Sequence, residues 1–207
     1  KDPVSRLPFP VFLVKKQVQC DEITGNKLTQ SFKYRRGFYD SAERKFRGFG
    51  LLLTTDSPSN RNSIRTGPES SPTLTKSWFH TGNTIDPVNV DYDRSDTAAI
   101  ALGTTIQNYG ESWSPRTSIH APHRTFVEAR RRELARALSG HILRVETFGL
   151  DNDTKAKLPY SVLQHRYLVR ELKGMGENSP YSIMHPLLVE SIHYHYERTH
   201  DDPRCDH

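Results

Sequence analysis

Between Tyr34 and Gly50 the chain places five aromatic residues, five basic residues and three glycines in seventeen positions. Aromatic side chains fit a pleated, half-buried surface, and glycines at this density disfavour helix. The block therefore restricts this part of the chain to strands. Leu28 to Tyr34 alternates apolar and polar residues, and Lys45 to Thr55 resumes the strand pattern. Phe38-Tyr39-Asp40-Ser41-Ala42-Glu43-Arg44 lies between them and is predicted as a turn, with Tyr39-Asp40 within it. Gly48 and Gly50 are placed for a bulge or a close backbone approach. Nothing in the block carries a catalytic signature.

The same reading extends along the rest of the chain. Pro8 and Pro10 hold the first residues extended, and Val11 to Cys20 then becomes a strand. Asp21 to Asn26 is a turn in which Gly25-Asn26 supply positive φ. Residues 56–72, rich in Ser, Asn, Pro and Gly, form a surface loop, and Leu74 to His80 is a further strand. From Asn83 to His123 periodicity fades, which marks an elaborated irregular insertion.

Thr125 with Glu128 makes a capping box at the start of a helix. Val127, Leu134 and Leu138 form its apolar stripe, and Gly140 ends it. Arg130, Arg131, Arg132 and Arg136 occupy the remaining surface, as expected of a face that is solvated or packed on carboxylates. Strands return at His141 to Phe148, at Pro159 to Leu172 with Tyr167 and Val169 on one face, and at Val189 to Arg198. Turns separate them at Gly149 to Asn152 and Gly174 to Asn178. About six to nine strands and one amphipathic helix make a mostly β, antiparallel fold with long irregular loops. The predicted organisation is a first β segment over 1–82, an irregular insertion over 83–124, and a helix with a second β segment over 125–207.

Composition narrows the architecture further. A chain of 207 residues can bury a substantial core. Yet hydrophobic residues make up only 34% and mean hydropathy is −0.71, while Tyr and Phe number nine each. That balance suits thin sheets with aromatic faces. The net charge of +5 raises nucleic acid as a partner. Basic and acidic residues are interleaved, however, and the densest cluster is Arg130-Arg131-Arg132, so no nucleic acid is expected. No apolar run reaches the length of a membrane span, so no direct membrane insertion is expected. Cys20 and Cys205 lie near opposite ends, and the sequence leaves their pairing open. The missing initiating Met and the charged, His-rich end read as an excised part of a longer protein.

The sharpest chemical candidate is Ser191-Ile192-His193-Tyr194-His195-Tyr196-Glu197-Arg198. On a strand His193 and His195 point the same way, a spacing that can ligate a metal beside a carboxylate. His200, Asp201, Cys205, Asp206 and His207 are near enough in sequence to complete such a site. Tyr194 and Tyr196 share the other face, as a strand between two layers also requires, and this structural reading is favoured. Arg47-Gly48-Phe49-Gly50 continues into Leu51-Leu52-Leu53 and offers no helix N-terminus to a phosphate. Ser112, Ser114 and Ser118, near His120 and His123, lack a Gly-x-Ser-x-Gly elbow. Neither cysteine has an activating context. No catalytic residue and no cofactor are expected.

Taken in order, several blocks resemble one family. They are Leu7-Pro8-Phe9-Pro10-Val11, the Tyr34-to-Gly50 block, Lys76-Ser77-Trp78-Phe79-His80-Thr81-Gly82, and Arg132 to Asp151. Pro159-Tyr160 and Glu190 to Arg204 follow. Together they are similar to the middle region of the B component of insecticidal Tc (toxin complex) toxins, a family shared with the N-terminal part of the SpvB virulence proteins. The most specific match is Phe38-Tyr39-Asp40 with Phe46-Arg47-Gly48-Phe49-Gly50. The resemblance implies a curved RHS/YD-type β-shell segment, part of a cocoon that B and C components build around a cytotoxic effector.

The implied partners are the C component, the remainder of the B component, the encapsulated effector, and a pore-forming A component reached through a propeller outside this chain. The implied setting is an extracellular toxin complex made in the cytoplasm and secreted. Two other readings remain at this point: a metal-dependent enzyme built on His193 and His195, and a secreted or adhesion module that reuses an RHS/YD-type shell.

Overall fold

A computed structural model describes residues 7–59, 71–84, 124–151, 153–176, 179–199, 201 and 203–207. Among the described residues eight strands follow one another: β1 (Lys16–Cys20), β2 (Lys27–Asp40), β3 (Lys45–Ser59), β4 (Thr73–Phe79), β5 (Ile142–Gly149), β6 (Ser161–Lys173), β7 (Ile183–His195) and β8 (Arg204–Asp206). Helix α1 (Arg124–Ala137) precedes β5, and a 3-10 turn (Thr154–Lys157) precedes β6. The strands form one open antiparallel sheet whose spatial order is the chain order. Pairing of β4 with β5 carries the sheet across the long connection between them.

Local chemistry sets the turns. The Asp21 carboxylate accepts the Ile23 amide at 2.9 Å, and the Gly25 amide donates to the Asp21 carbonyl at 2.8 Å. Gly25 alone of the Gly25-Asn26 pair takes positive φ, at 73°. At the next turn the structure corrects the sequence reading. Phe38, Tyr39 and Asp40 belong to β2, with Tyr39 paired to Phe46 and Asp40 to Lys45, and the turn is confined to Ser41–Arg44. Pairing wins because it lets Phe9 lie edge-on to Tyr39 and Phe46, at 5.3 and 6.2 Å between ring centres. Asp40 then caps the turn, accepting the Ala42 and Glu43 amides at 3.1 and 3.2 Å.

The two glycines after this turn have separate jobs. Gly37 pairs with Phe49 and Tyr39 with Phe46, so β3 carries one extra residue, and Gly48 absorbs it with φ 96°. Gly50 is buried, and a Cβ there would meet the Thr81 methyl at 3.2 Å. It permits a close approach.

Other boundaries also move. Residues 7–15 carry no strand, and β1 keeps only Lys16–Cys20 of the predicted Val11-to-Cys20 run. β3 runs on to Ser59, into the predicted loop, of which residues 60–70 lie outside the described residues. Of the predicted insertion, residues 85–123 lie outside them as well. Helix α1 opens at Arg124, so Thr125 stands in its first turn, while Gly140 closes the turn after it with φ 86°. β7 begins at Ile183, earlier than the predicted Val189, and ends at His195.

Register turns the alternating sequence into two continuous faces. On one face a row runs Arg35–Leu51–Trp78–Arg144–Gln164–Ile192 across six strands. The adjoining row runs Lys33–Leu53–Lys76–Glu146–Val162–Tyr194–Cys205. Leu51, Trp78, Arg144, Glu146, Val162 and Gln164 are all at most 2% exposed. The middle of the sheet is therefore dry, yet it holds a guanidinium and a carboxylate 2.8 Å apart.

On the opposite face α1 lays Leu134 and Ala137, with Leu138 just after it, against Tyr167, Val169 and Met184. Arg136 reaches from the helix to Glu43 in the β2–β3 turn at 2.6 Å, and Arg130 pairs with Glu171. The helix arginines thus meet carboxylates at two of four positions, while Arg131 and Arg132 are exposed. Toward both edges burial falls away: every residue of β1 and β8 is exposed. Cys20 and Cys205 sit on these two opposite edge strands, both free. Among the described residues no helix is long and apolar enough to cross a membrane.

His80 fastens β4 to the turn after α1. Its amide donates to the His141 carbonyl at 2.9 Å, its carbonyl accepts from Gly140 at 2.8 Å, and its Nδ1 accepts the Gly82 amide at 3.0 Å. Burial first, and the neighbouring His141 second, push its pKa down to about 4. The folded chain therefore holds His80 neutral where the unfolded chain, near 6.5, takes up a proton. Stability from this group is full above the unfolded value and is lost as pH falls toward about 4. Between pH 7 and pH 5 the loss should be about 2 kcal/mol by proton linkage. Urea unfolding of wild type and His80→Gln at both pH values checks this; equal pH slopes would sink it.

Candidate functional site

The i, i+2 spacing on β7 puts His193 and His195 on one face, with ring centres 4.0 Å apart. β8 adds the third group. His193 pairs across the strands with Asp206, and His195 Nε2 lies 3.0 Å from Asp206 Oδ2. One ligand atom from each of the three falls within 4.8 Å of the others. Both histidines are half-buried and Asp206 is exposed. Burial, then the charge of His195, push the His193 imidazole below its ordinary value, with Asp206 pulling the other way and Arg204 adding to the fall. The neutral ring that results is the form that coordinates metals.

The remaining neighbours in sequence separate. Cys205 pairs with Tyr194 and faces the opposite side of the sheet. His207 turns to Glu190, its Nε2 lying 2.8 Å from Oε1, and this hydrogen bond is the main reason the Glu190 carboxyl is held below its ordinary range. Asp201 is no member of the cluster, and His200 lies outside the described residues, as do Ser112, Ser114, Ser118, His120 and His123. Arg47-Gly48-Phe49-Gly50 lies wholly within β3.

Sequence reading missed a second constellation. It assigned Arg198 to the last strand, but Glu197 and Arg198 leave β7 through left-handed backbone, φ 48° and 63°. That turn sends the Arg198 guanidinium onto both Asp151 oxygens at 2.7 Å, with Nε donating to the Lys155 carbonyl at 3.2 Å. The same guanidinium lies over the Tyr160 ring, 5.3 Å from its centre. Amides of Tyr196 and Glu197 both donate to the Tyr160 carbonyl, at 2.8 and 3.1 Å. The Pro159-Tyr160 block and the Glu190-to-Arg204 block are thus one joint, which braces the corner where β5, β6 and β7 meet.

Residues 1–82 match the family described as insecticide toxin TcdB middle/N-terminal region, and residues 133–207 match insecticide toxin TcdB middle/C-terminal region. The crystal structure of TcdB2-TccC3-TEV is 34% identical over 99% of this chain, with a TM-score of 0.77. This chain belongs to the TcdB family of Tc toxin B components. That of TcdB2-TccC3 is 34% identical over 99%, with a TM-score of 0.71. The Photorhabdus luminescens Tc holotoxin pore follows at 32% over 96%, TM-score 0.70. This TcdB-family chain spans 9–10% of the length of those chains. Comparison with curated protein sequences gives no match.

The match extends over the open sheet with its single described helix, so the toxin-shell fold expected from the resemblance holds. The Tyr34-to-Gly50 hairpin, the Trp78 row and the Arg198 joint all lie within the matched residues.

Proposed function

We propose that this chain is a non-enzymatic wall segment of a Tc-type toxin B component, which helps to enclose a cytotoxic effector until delivery. The observation that carries the reading is the open eight-stranded sheet, exposed at both edge strands and dry in the middle. Such a sheet is a tile: its edges invite further strands and its interior rows exclude water. Similarity to chains of TcdB2-TccC3 complexes and of a holotoxin pore supports the same assignment. Its partners would be the rest of the B component, a C component and the enclosed effector. A pore-forming A component would be reached through a propeller elsewhere, and the assembly would act outside the cell that makes it.

The test is protease protection of an effector in a B–C complex carrying this segment. Breaching the dry row with Leu51→Asp should increase effector cleavage about tenfold or more, because a carboxylate buried in place of an apolar side chain opens the wall locally. Lys33→Glu on the same face should leave it protected. Equal protection of the effector in the breached and intact complexes would overturn the proposal.

A further inference from the structure

We infer that His193, His195 and Asp206 form a binding site for a divalent transition-metal ion of the zinc class, clamping β8 onto β7. The proposal is independent of the wall function. It rests on three facts of geometry. Two imidazoles project from one face of β7 with ring centres 4.0 Å apart. A carboxylate on the adjacent strand stands opposite the first of them and within hydrogen-bond distance of the second. And the ligand atoms of all three lie within 4.8 Å of one another. In a tetrahedral zinc site, metal–ligand distances near 2.1 Å put neighbouring ligand atoms about 3.4 Å apart. The His195–Asp206 separation of 3.0 Å is already close to that, and side-chain rotation closes the rest.

Donor type agrees with geometry. Two imidazoles and one carboxylate suit zinc and its first-row neighbours, and not Ca2+ or Mg2+, which take oxygen cages. Binding through Nε2 needs the His195 proton on Nδ1 and replaces the contact of Nε2 with Asp206. Arg204 pairs with His195 across the strands, and its charge opposes the ion. A micromolar rather than a tighter site is therefore expected.

The location explains the use of such a clamp. β8 is three residues long, wholly exposed, and held by three residue pairs. A strand that short is marginal on backbone bonds alone, so an ion joining two β7 side chains to one β8 side chain would fix the sheet edge. The fourth coordination position stays open to water or to a donor from the next strand in an assembly.

Co2+ binding to the purified chain, followed by its visible absorption and by Zn2+ competition, is the test. One ion per chain is expected, with thermal unfolding raised by Zn2+ and restored by chelator. His193→Ala and His195→Ala should each weaken binding at least about a hundredfold, more than the loss typical of ligand-supporting residues. Asp206→Asn keeps shape and a hydrogen bond to His195 but removes the anionic ligand; it should also bind weakly. His207→Ala, which loses only the Glu190 contact, should bind like wild type. Chelator-treated variants that melt with the treated parent show that the loss is one of ligands, not of fold. No Co2+ or Zn2+ bound at about 100 µM, undiminished binding by either histidine variant, or full binding by Asp206→Asn would overturn the site.

Discussion

Trp78→Ala should lower folding stability by about 3–5 kcal/mol, the range for removing a fully buried aromatic side chain. The indole is 2% exposed and stands between Leu51, 1% exposed, and Arg144, 2% exposed, in one row of the sheet. A thin sheet has few such positions. The buried apolar cluster here is Leu51 and Trp78 with Leu53 packed against them, and α1 lies on the other face, where it cannot refill a hole. The neighbours are strands pinned by their ladders, so the cavity stays open and the full penalty applies. Urea unfolding followed by circular dichroism measures the change. Trp78→Phe should lose clearly less, since it keeps an aromatic in the row. A loss below about 1 kcal/mol for the alanine variant would mean that the row is not the core of the wall.

How far the sequence reveals this molecule depends on which interaction fixes each element. Alternation exposed β2 to β6 because a half-buried strand writes its two faces into every second residue. Gly140 and Gly25 were legible because only a left-handed backbone needs them there. Tyr39-Asp40 misled, since Asp and Ser after an aromatic look like a turn. Their strand state comes from Phe46 and Phe9, seven and thirty residues away.

Pro186 likewise hid the first half of β7. It is tolerated because β8 covers only His193–His195, so at Pro186 the described sheet has an edge that needs no donor. The histidine pair was readable from its spacing alone, but Asp206 was only one of five candidates for its third member, and nothing in the sequence singled it out. Asp206 reaches His193 and His195 only because Arg204–Asp206 forms a strand, and three residues carry no periodicity. Arg198 was invisible for a related reason: its fork depends on a left-handed turn in two non-glycine residues, which propensity argues against.

The buried charges in the wall make the second large prediction. Arg144→Met should destabilise by about 3–5 kcal/mol, the range for breaking a buried ion pair from one side. Glu146 is 0% exposed; it has Arg144 Nε 2.8 Å away on its own strand, and Lys76 Nζ 3.6 Å away on β4. Taking the guanidinium leaves a desolvated carboxylate facing an ammonium at a longer distance, part of which is already spent over the Phe148 ring at 4.3 Å. Losing the closer, hydrogen-bonded cation is what dominates. Arg144→Met/Glu146→Leu removes both charges and keeps the volume, so most of the stability should return, and the two single losses should not add. Denaturant unfolding of the four proteins as a double-mutant cycle reads the coupling directly. Additive losses would mean that the pair is not coupled. A pair that can be swapped for apolar residues without loss contributes little net stability, so the place of Arg144 between Trp78 and Gln164, and of Glu146 between Lys76 and Val162, would reflect register. A strand slipped by one residue would turn both charges to the α1 face and bring Val145 into the dry one.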